Sequence, residues 1–256
     1  MTIQQIERVR NPYYLTFGKA WQTLLYKQSI PYIKALDDPH SISYLESIPL
    51  NIKDTRELFL KTWIVTGRDF ARISYKDNHK TISTQIRTKD AAEDFFDNYM
   101  YNFAETEAGM RIVSIATTNK DAMLSVIRQA LLKGEQEGLG AVEMSKYVQD
   151  ALKEQMTIIS RYSAERIART EIVGASNRGQ LLGAQTLGYN MKKTWLMGFN
   201  ARTPDKNNPF NHAIHETVNL YDDFQETGEP MQHPGDPKGS AGNVINCNCS
   251  MTFEVL

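Results

Sequence analysis

The sequence predicts an α+β protein, with a mainly helical N-terminal region followed by a small α+β domain built from a long helix, short antiparallel strands and long loops. Three observations carry this. Apolar residues recur at helical spacing through most of residues 17–156. Small residues crowd one long helical stretch, 163–187. After Gly188, short β-prone runs alternate with the turn-rich segments RTPDKNNP, QETGEP and HPGDPKGSAG.

The elements follow in order. Residues 17–36 form a first helix, with Pro31 as its kink or break. A second starts at Asn51 or Asp54, either of which can cap it, and runs past Leu58, Trp63 and Val65 to about residue 73. A third covers about 89–106, where Phe95, Phe96, Tyr99, Tyr101 and Phe103 dominate. Aromatic residues stabilise mainly through burial, so this helix reads as core, with an interaction face as the alternative. A fourth starts near Asn119 and ends at the glycines of GEQEGLG. A fifth occupies 142–156. The sixth, 163–187, has Ser163 as N-cap and stops at Gly188. Its Gly174, Gly179 and Gly183 each cost about 1 kcal/mol against Ala. A helix that keeps them needs another backbone close by. Residues 192–196, 218–220 and 250–255 read as strands. The organisation is a helical docking region over 1–157 and a compact α+β domain over 158–256. Loops as long as those in the second part need something to hold them.

Composition narrows the function. The 256 residues are 41% hydrophobic and 23% charged, which excludes wholesale disorder. A net charge of −1 gives no global electrostatic case for nucleic-acid binding. A local case remains. Arg161, Arg166, Arg169, Arg178, Lys192 and Lys193 face only Glu165 and Glu171 within the same stretch. They are candidate contacts to DNA or an acidic partner, against the plainer reading of a solvated face that pairs with the acidic loops beyond Asn200. The N-terminal residues lack the apolar core of a secretory signal, and no run approaches a membrane span. The expected location is the cytosol where the chain is made, with no membrane partner.

The chemistry-bearing residues gather at the end. The only two cysteines, Cys247 and Cys249, are one residue apart. A disulfide between them would be strained, so the thiols suit a metal better than each other. Three of the five histidines, His212, His215 and His233, fall in the last forty-five residues. Thiolate and imidazole are zinc ligands. The candidate set is Cys247, Cys249 and His212, with His215, His233 or a carboxylate as fourth ligand. The alternative is that the cysteines are small buried residues ending a strand and the histidines hydrogen-bond across loops. No catalytic residue is assigned. The chain has no G-x-S-x-G, no phosphate-binding glycine loop and no H-E-x-x-H; HAIHE, at 212–216, has the wrong spacing.

Several short runs stand in a fixed order. They are Tyr162-Ser-Ala-Glu-Arg-Ile-Ala-Arg169-Thr170-Glu171 with Asn177 beyond it, Lys193-Thr-Trp195, Arg202-Thr203, His212, Phe224, Pro234-Gly235-Asp236-Pro237 and Asn246-Cys247-Asn248-Cys249. In that order they resemble the phage head-morphogenesis family typified by the Mu F-like minor head proteins, over roughly the last 95 residues. The family motif would make Arg169, Thr170, Glu171, Trp195, Arg202, Phe224, Pro234, Gly235 and Asn246 structural. Between Arg202-Thr203 and His212 this chain carries an apparent insertion, PDKNNPFN, so His215 stands as the alternative to His212. The resemblance implies a non-enzymatic minor head protein of the virion, present in few copies near the portal vertex. The implied partners are the portal protein, other capsid or scaffold proteins, and viral DNA for members that are packaged. The family's recurrent His and C-x-C also imply zinc. Two rival readings are a DNA-escorting virion protein ejected with the genome and a metal-dependent hydrolase or toxin-like enzyme.

Overall fold

The computed structural model describes residues 1–36, 42–82, 91–107, 109–199, 201–205 and 209–256. It is mostly helical with one small antiparallel sheet. The helices are α1 (Ile3–Lys27), α2 (Ile30–Ala35), α3 (Ile42–Ser47), α4 (Ile52–Ile82), α5 (Ala91–Glu107), α6 (Gly109–Gln136), α7 (Ala141–Gln185) and the one-turn α8 (Ala241–Val244). The strands are β1 (Met191–Leu196), β2 (Thr217–Asn219) and β3 (Ser250–Val255).

Residue contacts divide the chain into two compact units. The first comprises Met1–Phe17, Phe59–Ala108 and Arg166–Leu256; the second comprises Gly18–Leu58 and Gly109–Glu165. The sequence boundary at 157/158 falls inside α7, a single helix of 45 residues. Ser163 is therefore an interior helical residue and caps nothing. The stretch between the two expected helices holds no Gly or Pro, so nothing there forces a break.

Other helix ends also differ from the pattern reading. The first helix starts at Ile3, well before residue 17, and contains Pro12. Pro31 lies in the first turn of α2, where its missing N–H costs nothing, so it opens a new helix. Asn51 does cap α4, its Oδ1 accepting from the Asp54 amide at 3.2 Å. The helix expected fourth, to start near Asn119, is α6 and starts at Gly109, ten residues earlier. Asn119 is a buried interior residue whose Nδ2 donates to Leu25 O and Gln28 Oε1.

The second unit buries Tyr32, Leu45, Met123, Ile127, Val148, Leu152 and Met156 in one apolar cluster. The first unit is organised by α7. Residues 171–184 of that helix are all buried. A Cβ on Gly179 would overlap Gly67 O, and one on Gly183 would overlap Ala71 O. One on Gly174 would lie 2.8 Å from Gly235 O. The three glycines are thus the close approach of α7 to α4 and to the 232–236 loop, as their presence in a helix required. The sheet has the order β2-β1-β3, with Lys193 opposite Val218 on one side and Phe253 on the other. Met191, Lys193 and Trp195 alternate inward from β1. A cluster of Val173, Leu181, Trp195, Leu220, Phe224, Met231 and Met251 packs beneath them. No described helix is long and apolar enough to cross a membrane.

Candidate metal site

His212, Cys247 and Cys249 come together in the first unit, with one ligand atom from each lying within 4.8 Å of the others. All three are almost fully buried, at 2%, 3% and 0% exposure. Such a cluster could hold a metal ion.

The backbone explains the convergence. The one-turn α8 ends at Val244, and Asn246 adopts φ 59°, the one positive-φ residue other than glycine among the described residues. Asn tolerates this left-handed conformation better than most side chains. The chain turns there, and the Asn246 amide donates to Thr170 Oγ1 of α7 at 3.1 Å. Cys247 and Cys249 are alternate residues leading into β3, so their side chains share a side. The Cys249 carbonyl is held by Asn177 Nδ2 at 3.0 Å and by the Arg10 guanidinium at 3.4 Å. His212 arrives from the loop ahead of β2, its amide donating to Arg202 O at 2.7 Å. The Arg202 guanidinium in turn donates to Gly242 O and Ile245 O, around the end of α8. Trp195 meets His212 and Phe224 edge-on, at ring separations of 5.5 and 5.3 Å.

The polar contacts suit metal ligands. Cys249 Sγ lies 3.8 Å from His212 Nδ1 and accepts from the Gly198 amide at 3.4 Å. Gly198 must be glycine, since a Cβ there would lie 2.5 Å from Asn248 O. The other ring nitrogen, Nε2, sits 2.6 Å from Asn243 Oδ1. Ligating histidines are oriented this way, one nitrogen free and the other bonded to an oxygen behind it. A hydrogen bond from Cys247 holds the Cys249 thiol well below its ordinary pKa. The His212 and Gly198 contacts add to that, against the opposing effect of burial. The same thiol–thiol bond, together with burial, pushes Cys247 up. The shared hydrogen bond thus favours ionisation of Cys249 over Cys247, and a cation would favour both thiolates.

The other sequence candidates are elsewhere. His215 is exposed and outside the cluster. His233 is buried, its Nδ1 3.2 Å from Pro234 O and its Nε2 without a hydrogen-bond partner, and it too lies outside the cluster. Glu216 stitches a loop, its carboxylate accepting from the Gln225 and Glu226 amides at 2.9 Å.

The basic candidates split. Arg161, Arg166 and Arg169 are exposed and Lys192 is half-buried. Arg178 and Lys193 are withdrawn as surface contacts because both are buried. Arg178 stacks on Tyr99 and Phe103 and donates to Gln232 Oε1 at 3.3 Å. Lys193 donates to Gln232 O at 2.7 Å and sits over the Phe224 ring, and burial lowers its pKa to about 8. A long aliphatic stem lets such residues serve the interior, which net-charge reasoning misses.

The motif residues are internal partners. Glu171 accepts from Trp63 Nε1 at 2.9 Å, and Asn177 Nδ2 donates to Pro234 O at 3.0 Å. Gly235, at φ 75°, lies against Gly174. Among them Arg169 and Asn246 are exposed. Several supporting residues carry no sequence signal. Arg10 is wholly buried, yet donates to Ser176 Oγ at 2.8 Å, Glu7 Oε1 at 2.7 Å and Asn177 Oδ1 at 3.1 Å. Gly198, Glu229 and Asn243 also escaped the sequence reading. Compared with known proteins, the chain matches no family model, no curated protein and no solved structure.

Proposed function

We propose that this chain is a structural, non-enzymatic minor head protein that acts in bacteriophage head morphogenesis at the portal vertex. In this reading zinc is held by His212, Cys247 and Cys249. One observation carries it. The residues of the phage-like motifs are spread over some eighty positions, yet meet in one buried node. Thr170 bonds Asn246, Asn177 bonds both Pro234 O and Cys249 O, and Trp195 lies between His212 and Phe224. A chance string of weak matches would have no reason to converge on the two cysteines.

The donor set fits zinc. It offers two sulfurs and an imidazole nitrogen, the soft-to-borderline ligands that zinc takes, and no hard oxygen cage of the kind calcium or magnesium requires. Bound zinc would link the segment that carries His212 to the 246–249 turn that leads into β3. Around it, this chain's residues do the rest. Gly198 and Asn177 hold the turn from outside, and Trp195 and Phe224 exclude water beneath it. Burial of both thiols favours holding over attack, since a nucleophile must meet its substrate.

The test is assembly. The chain is mixed with a portal protein from the genome that encodes it, and the mixture is sedimented across a salt series. Co-sedimentation that persists to about 0.5 M salt, where exposed charge contacts are largely screened, supports the reading. No portal binding, with DNA binding that falls steeply as salt rises, overturns it in favour of a DNA-escorting protein using Arg161, Arg166 and Arg169.

A further inference from the structure

We propose that Asn243 and Glu229 are positioning residues that fix the tautomer of His212, so that Nδ1 is the atom it presents to a metal. The proposal rests on the metal reading above.

The argument runs outward from a carboxylate. Glu229 Oε2 accepts from the Ser240 amide at 2.9 Å and from Asn243 Nδ2 at 3.1 Å. An ionised carboxylate has no proton to give and can only accept. The Asn243 amide can therefore meet it with its NH2 group alone, since the flipped amide would set two oxygens against each other. That places Oδ1 on the opposite side, 2.6 Å from His212 Nε2. Oδ1 is also only an acceptor, so Nε2 must carry the proton. A neutral imidazole protonated at Nε2 has its lone pair on Nδ1, and Nδ1 is the nitrogen facing Cys249 Sγ. The charge on Glu229 thus dictates, through one amide, which ring nitrogen of His212 is free to ligate.

Burial keeps the relay from idling. Asn243 is 0% exposed and His212 2%, so water does not compete for the 2.6 Å bond. Burial alone would raise the Glu229 pKa. The hydrogen bonds from Ser240 and Asn243 outweigh it and leave the pKa below its ordinary value, so the carboxylate is ionised at neutral pH. Glu229 is itself anchored, its carbonyl accepting from Thr227 Oγ1 at 2.7 Å.

The test uses the full chain and two readouts. The first is the His212 tautomer in metal-free protein, read from imidazole nitrogen chemical shifts. The second is zinc affinity by chelator competition. In the parent chain the metal-free ring is expected to be protonated at Nε2. Glu229→Gln frees the Asn243 amide to flip, so the ring takes up the Nδ1-protonated form and zinc affinity falls by about 10- to 100-fold, the range for loss of such outer partners. Adding Asn243→Asp to Glu229→Gln rebuilds a one-way relay, with the Gln amide donating to the new carboxylate and the carboxylate accepting from Nε2. Affinity is then expected to return to within a few-fold of the parent. A merely structural role would not predict recovery from a second buried substitution. An Nδ1-protonated ring in the parent, or Glu229→Gln binding zinc as tightly as the parent, overturns the proposal. A parent chain that takes up no zinc while showing the Nε2 proton overturns the metal reading beneath it, a result distinct from either.

Discussion

Gly179→Ala isolates what the glycines of α7 do. In an exposed helix interior this change stabilises by up to about 1 kcal/mol, because Ala has the higher helix propensity. At Gly179 the added methyl would fall on Gly67 O, with Gly67 C at 2.8 Å and Gly67 Cα at 2.9 Å. Those atoms are backbone, so no rotamer change relieves the overlap and two helices must separate. Overpacking of this kind costs about 1–3 kcal/mol and sometimes more, which exceeds the propensity gain. Gly18 supplies the contrast, since it lies inside α1 with nothing within 4 Å of its would-be Cβ. Gly18→Ala is expected to raise the melting temperature slightly and Gly179→Ala to lower it by several degrees, at about 2–4 °C per kcal/mol for a chain of this size. Thermal unfolding followed by circular dichroism, each variant against the parent, reads both. A Gly179→Ala chain that melts at or above the parent would refute the backbone-contact account of α7.

Other outcomes follow from the same structure. Arg10→Met removes the donor shared by Ser176, Asn177 and Glu7, and leaving the buried acceptors short of a partner costs about 1–3 kcal/mol, measurable as a fall in urea midpoint. Cys249→Ser is expected to abolish metal uptake, and a chelator should lower the melting temperature of the parent but not of this variant. Acid should destabilise the chelated, metal-free chain in two overlapping windows. Burial holds His233 below its ordinary pKa, so on the way down from about pH 6.5 the unfolded chain takes a proton that the folded chain refuses, and stability falls. Asp236 is also held low: burial would raise it, but neighbouring His233 and the amides of Lys238 and Gln232 prevail. Its contribution is present above the ordinary carboxylate pKa and is lost as pH drops through its folded value. His233→Gln should flatten the upper window and weaken the lower one, because it also removes one of the groups that hold Asp236 down, as read from urea midpoints across pH.

The fold class was legible because helical periodicity and turn residues are local signals. β3 was placed at 250–255, as found, since Ser250–Val255 reads as a strand and is bounded by the Asn-Cys turn. The helix ends were less legible. Pro12 and Asn119 look like boundary residues, yet both sit inside helices, where tertiary contacts such as the Asn119 bonds override the local preference. At the site, the two cysteines and His212 were visible as residue types that zinc accepts. Their supports were not. Arg10 lies more than 230 residues from Cys249, and Glu229 and Asn243 act through hydrogen bonds that no spacing encodes. Arg178 and Lys193 misled for the same reason, because charge is read from sequence and burial is not.

Metal content tests the central claim most directly. The chain is purified without chelators, exhaustively dialysed and then denatured, and the zinc released is measured against protein concentration, with His212→Ala and Cys249→Ser prepared in parallel. The account predicts about one zinc per parent chain, and close to none in either variant. Less than one zinc per several parent chains, or equal zinc in parent and variants, would contradict it.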